Sequence, residues 1–166
     1  MRGRPGACPA GSDKGEHMTN ENRAAQSLVA AGALLFLLGL LGGFAIPRMT
    51  NPRMGLSAHL EGVMNGTFLM VAGLAWSRLK LSAGLCSFAY WMLLYGSFAN
   101  WFFITLAAAF GTIALTPIAG AGHGGSALQE SLVAAGLVSV GIAMVLGCAV
   151  LVFGFYRGLR APDPAR

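Results

Sequence analysis

The sequence predicts an all-α integral membrane protein, a four-helix bundle with both termini on the cytoplasmic side. Three observations carry this. Of the 166 residues 55% are hydrophobic and only 10% are charged, with a mean hydropathy of +0.65, far from the balance of a soluble domain. The apolar residues fall in four long blocks, and about 20 such residues are needed to cross roughly 30 Å of hydrocarbon. Lys and Arg, finally, are concentrated in alternate segments between the blocks.

Residues 1–23 form an N-terminal segment whose first 17 residues are rich in Gly, Pro and charge. It is expected to be disordered, with Met18 offering a second start site. The first span, about 24–46, carries no charge and is stopped by Pro47 and Arg48. It is too long for a signal-peptide core and lacks a small-residue cleavage site after it, so it reads as retained. The second span, about 57–76, ends at Arg78 and Lys80. The third, about 81–109, is long enough to tilt, and the fourth, about 131–156, is closed by Arg157 and Arg160. Residues 24–157 thus make one domain, followed by the tail 158–166.

Orientation follows from the basic residues. Arg2, Arg4, Lys14 and Arg23, then Arg78 and Lys80, then Arg157, Arg160 and Arg166 share one side of a four-span chain; the other side has Arg48 and Arg53. The positive-inside rule makes the first side cytoplasmic, in the inner membrane. The net charge of +5 is then a topology signal and a lipid-headgroup contact, which removes the reason to infer nucleic-acid binding. Cys8, Cys86 and Cys148 are odd in number and give no disulfide framework or thiolate metal site.

Many of the 24 glycines lie inside spans, where small residues let helices approach in lipid. Four tightly packed spans enclose little volume. A site for a cofactor is easier to build between subunits, so a homo-oligomer is expected. Trp76, Trp101 and Tyr156 fit the interfacial belt, and Trp91 the core.

Polar residues are few, and they gather. AHLEGVMNG, residues 58–66, brings His59, Glu61 and Asn65 into the second span. Counting back from Arg78, they lie about 28, 26 and 20 Å up by helical rise. Asn100 in the third span reaches the same outer half, with Ser97 one turn below. Gln129 and Glu130 open the fourth span, and His123 stands in the outer loop PIAGAGHGGSALQE. At about 100° per residue, Glu61 and Asn65 share one face, whereas His59 is roughly 160° from Glu61 and 120° from Asn65. One pocket in one subunit cannot easily use all three. Singly, each has a structural explanation: an interfacial histidine, an acid in a helix's first turns, amides linking helices. Their convergence at one depth is what points to a site.

AHLEGVMNGTFLMVAGLAWSRLKLS, YGSFANWFF and PIAGAGHGGSALQE, in that order and spacing, resemble the hydroxylaminobenzene mutases. The likeness covers roughly residues 20–157. AH followed by five residues and NG resembles, more distantly, the styrene oxide isomerases, four-helix membrane enzymes that assemble as trimers around haem b. The resemblance implies isomerisation of an arylhydroxylamine to a 2-aminophenol in nitroarene degradation. It implies His59 as axial ligand to the iron of haem b, with Asn65 lining the pocket. Asn100 then joins Asn65 in orienting substrate, and Glu61 fixes a neighbouring group or moves a proton. Phe98, Trp101, Phe102 and Phe103 are candidates to wall the aromatic ring. His123 and Glu130 belong to a glycine-rich loop suited to a lid, or Glu130 simply caps the fourth helix. Where the epoxide isomerases carry a pocket tyrosine, this sequence has Ile104, which disfavours epoxide opening.

Three other readings stand beside this one. One is an epoxide isomerase, and one a haem electron carrier, which needs a second axial histidine that only His123 can supply. A small transporter would carry a charge deep in a span, and none of these spans has one near its middle.

Overall fold

The structure, a computed structural model, describes residues 12–160, with side chains from residue 22 onward. Helix α1 is Ser12–Ala45, α2 is Pro52–Ala75, α3 is Ala83–Phe110, α4 is the single turn Pro117–Gly120, and α5 is Ala127–Arg160. Short 3-10 turns, Ile46–Arg48 and Trp76–Arg78, finish α1 and α2. Among the described residues every regular element is helical.

Two boundaries differ from the sequence reading. The segment expected to be disordered up to residue 23 is helical from Ser12. No proline falls between Ser12 and Arg23, and extending a formed helix by one residue is easy once its nucleus exists. α2 starts at Pro52, five residues before the expected span. Asn51 is its N-cap, accepting from the Met54 N–H at 3.1 Å, and Pro52 takes the first helical position, where a missing N–H costs nothing. The remaining N-terminal residues, 1–11, and the tail 161–166 lie outside the described residues.

Three helices are long and apolar enough to cross a membrane: residues 22–48, 83–110 and 127–160. The protein is a membrane protein, and its outer faces say so. Phe44, Leu74, Leu128 and Leu159 are each more than three-quarters exposed, a surface suited to lipid and not to water. The 24 residues of α2 are as long, but Arg53, His59, Glu61 and Asn65 lower its apolar character. It lies between α1 and α3.

The helices pack in a row, α1 on α2, α2 on α3, α3 on α5, and the row does not close. α5 does not pack closely on α1 or α2, and α1 touches α3 only lightly. The glycines show how neighbouring helices in the row meet. Along α1 and α2, glycine meets backbone: a Cβ on Gly39 would fall 2.7 Å from the Gly62 carbonyl carbon, and one on Gly73 2.7 Å from the Ala25 oxygen. Along α3 and α5, glycine receives side chains, Phe103 on Gly136 and Leu93 on Gly147. A core of Leu28, Leu35, Leu69, Trp76 and Leu93 fills the basic end, and Met54, Ala58, Ile104 and Val133 fill the other. Trp76 is 3% exposed and Trp91 is 58% exposed, so Trp91 faces outward and Trp76 belongs to the core. Trp76 stands at the turn that both α1 and α5 cover.

Candidate active site

Glu61 is the centre of the polar cluster. Its Oε2 accepts from Asn65 Nδ2 at 3.1 Å and from Asn100 Nδ2 at 2.7 Å. Asn65 follows Glu61 by one turn on α2, and Asn100 reaches across from α3. All three side chains are partly buried. Hydrogen bonds to an ionised carboxylate are the strong ones, about 1.5–3 kcal/mol each. Oε1 of Glu61 and the amide oxygens of both asparagines have no hydrogen-bond partner among the described residues. The cluster therefore presents acceptors.

Its direction is fixed by its neighbours on α3. Trp101 packs on Gly62 of α2, and Phe103 packs on Gly136 of α5. At about 100° per residue, Asn100 points between these two directions. The cluster thus sits on the flank of α2 and α3 that faces α5, and α5 packs on α3 and not closely on α2.

His59 points the other way. Its Nδ1 lies 2.8 Å from the Gly39 carbonyl oxygen of α1. A carbonyl has no proton, so Nδ1 donates and Nε2 is the ring nitrogen left without a partner among the described residues. A Cβ on Gly43 would come within 3.0 Å of the ring, and one on Gly42 would meet nothing. Glycine at 43 makes room for the imidazole, and the surface beside it is open. One α1 carbonyl thus fixes both tautomer and ring plane, the usual support behind a metal-bound histidine. No group of three or more His, Cys, Asp or Glu among the described residues is placed to hold a bare metal ion. Haem asks for less, a single neutral imidazole, and His59 fits that role.

Other candidate residues are dispersed. Trp101 and Phe103 flank Asn100, whereas Phe102, on the opposite face of α3, is 50% exposed. Phe98 lines a separate apolar groove of about 510 Å³ with Ala31, Trp91, Leu94 and Tyr95. Ile104, buried beside Met54 and Ala58, brings no hydroxyl. His123 is exposed in the outer loop, where its Cβ lies near Gly111. Glu130 accepts N–H bonds from Ile113, Ala114 and Gly125 at 2.9–3.1 Å. It holds residues 111–125 onto the start of α5 and makes no hydrogen bond to the Glu61 cluster.

Sequence reasoning missed the clamp at the end of the molecule opposite the basic one. Asn51, buried, caps α2 and donates through Nδ2 to the Ala119 carbonyl at 2.9 Å, while its N–H donates to the Ala108 carbonyl. Thr50 Oγ1 donates to the Ala109 carbonyl at 2.7 Å. The pair Asn-Pro at 51–52 was the available signal. Ser126 and Gln129 form a reciprocal cap on α5, at 2.8 and 3.4 Å, in the spacing S-x-x-Q that marks a helix start.

The fold and the cluster together define a membrane protein with one polar helix held between apolar ones. A family model described as styrene oxide isomerase matches residues 24–156, and the chain belongs to that family and is an isomerase. Two curated relatives from Ectopseudomonas oleovorans refine the picture. The chain is 47% identical to hydroxylaminobenzene mutase HabB over 131 residues, which cover 78% of this chain and 80% of HabB. It is 42% identical to hydroxylaminobenzene mutase HabA over 131 residues, 78% of this chain and 97% of HabA. No solved structure matches the chain.

Proposed function

We propose that this chain is a multi-pass mutase of the inner membrane that converts hydroxylaminobenzene to 2-aminophenol during nitroarene breakdown. It works as a homo-oligomer, a trimer by likeness to the family, with haem b held through Nε2 of His59. All four long helices span the bilayer and both termini are cytoplasmic. Supporting that orientation, Arg78 and Lys80 lie beside the last turns of α5 with Arg157 and Arg160.

The observation that carries the reaction is the acceptor character of the Glu61 cluster. Moving a hydroxyl from nitrogen to the ortho carbon breaks an N–O bond and forms a C–O bond. The proton displaced from that carbon ends on nitrogen, and no electrons are gained or lost. Glu61 has one oxygen tied by two amides and a second oxygen open, as a proton carrier between carbon and nitrogen requires. Asn65 and Asn100 turn their amide oxygens to the N–H and O–H of an arylhydroxylamine. An epoxide has neither proton to offer, and Ile104 has no hydroxyl with which to open one. Bound haem would supply a Lewis-acidic iron for the departing oxygen. Trp101 and Phe103 flank the cluster and would keep water from the electron-poor ring.

Because His59 and Glu61 face opposite sides of α2, the complete site joins His59 of one subunit to the Glu61 cluster of its neighbour. The test is direct. Protein purified in detergent should show a Soret band and turn phenylhydroxylamine into 2-aminophenol, with styrene oxide a poor substrate. A colourless preparation with full activity would refute the haem assignment, and a haem protein that cycles with reductant but leaves phenylhydroxylamine unchanged would refute the mutase.

A further inference from the structure

The end of the molecule opposite the Glu61 cluster gathers positive charge from two separate segments of the chain. The turn after α2 is docked on the end of α5 by the Lys80 N–H, which donates to the Gly154 carbonyl at 3.2 Å. Glycine makes that docking possible. A Cβ on Gly154 would fall 2.9 Å from Leu81, and one on Gly158 2.8 Å from the Arg78 carbonyl oxygen. The docking places Arg78 and Lys80 beside Arg157 and Arg160, cations from two segments about 80 residues apart in sequence. Like charges held together repel, modestly at an exposed site. Of the two carboxylates whose side chains are described, Glu61 is bonded to asparagines and Glu130 to the loop 111–125, both away from this end.

A cavity of about 550 Å³ opens among these groups, lined by Lys80, Phe153, Tyr156, Arg157 and Arg160. Two of its cations are oriented by rings: Arg160 lies 4.4 Å from the Tyr156 ring centroid and Arg157 5.7 Å from that of Phe153. A guanidinium stacked on a ring by its face keeps its N–H edge for an anion. No described group accepts from Lys80 Nζ or from either guanidinium. Phe153 and Tyr156, each about half exposed, continue from the lipid-facing surface of α5 into the cavity wall.

We propose that this cavity is a binding site for the phosphate headgroup of an anionic phospholipid. Arg157, Arg160 and Lys80 hold the phosphate, and the Phe153 and Tyr156 rings lie along the start of the acyl chains. A free phosphate ion would satisfy the same cations but would leave the two rings unused, which favours the lipid. Occupancy would tie the 76–81 turn to α5, the contact by which the row of helices is held at this end.

Native mass spectrometry and thermal unfolding of the detergent-solubilised protein test it, with phosphatidylglycerol, phosphatidylcholine and inorganic phosphate as separate additions. Phosphatidylglycerol should be retained and should raise the melting temperature, whereas phosphatidylcholine and inorganic phosphate should do neither. R157Q/R160Q should weaken phosphatidylglycerol retention about tenfold or more, R157K/R160K should keep most of it, and R48Q, at the opposite end, should leave it unchanged. Equal retention of both lipids, or an unchanged preference in R157Q/R160Q, overturns the proposal. Stabilisation by inorganic phosphate as large as by phosphatidylglycerol assigns the cavity to a free anion and overturns the lipid.

Discussion

The two flanks of α2 use polar chemistry in different ways. On the α1 flank, His59 meets a backbone carbonyl that cannot move without moving the helix, and its ring lies against Gly43. On the α3 flank, Glu61 meets two side-chain amides that can turn. A rigid partner suits a ligand whose tautomer must not change. Mobile partners suit a group that gains and loses a proton, because they can follow its charge. Between the two flanks, Gly62 packs on Gly39 and Trp101, so within one chain His59 and the Glu61 cluster are kept apart.

Substitutions that strike one flank and spare the other can break this division. The largest effect belongs to His59→Ala, which should remove both the Soret band and turnover while the protein still folds. A coloured, active His59→Ala protein would show that another group holds the cofactor. Glu61→Gln should keep the Soret band and lower kcat about 10²- to 10⁴-fold, the share a positioned acid-base group contributes. Loss of haem in Glu61→Gln would erase the distinction between the flanks. Asn100→Ala should cost about ten- to a hundredfold in kcat/KM, from the loss of one hydrogen bond to a charged group, and Asn65→Ala somewhat less, given its longer bond. Smallest is Gly43→Ala, whose methyl would press the imidazole at 3.0 Å. Haem affinity should fall about tenfold, as when support behind a metal-bound histidine is disturbed, with kcat of the loaded protein little changed.

Much of this arrangement was legible in the sequence because it depends on angle and depth alone. The i, i+4 spacing of Glu61 and Asn65 and the wide angle to His59 follow from helical geometry, and the structure has both. Lipid-facing character was equally plain from the long apolar blocks. What sequence could not supply is the partner of each group. Nothing in the letters says that the Gly39 carbonyl, 20 residues before His59, is the one it meets, or that Asn100 rather than Ser97 reaches Glu61. Those depend on the register between helices, set by contacts such as Gly39 on Gly62 and Trp101 on Gly62, whose pairing has no sequence signature of its own. The same limit hid the open row: periodicity reports which face is small, not which neighbour it meets. Phe98 and Phe102 were read as ring walls from proximity in sequence to Asn100, and their angles around α3 carry them elsewhere.

Mixing two inactive variants tests the separation of the flanks most directly. Chains carrying His59→Ala and chains carrying Glu61→Gln, co-expressed in equal amounts, assemble at random into mixed oligomers. If each site takes His59 from one subunit and Glu61 from the next, about a quarter of the sites in a closed ring are intact. The mixed preparation should then recover about that fraction of parental activity on phenylhydroxylamine. Activity no higher than that of the separate variants, in oligomers confirmed to contain both chains, would place His59 and Glu61 in one subunit's site and contradict the account.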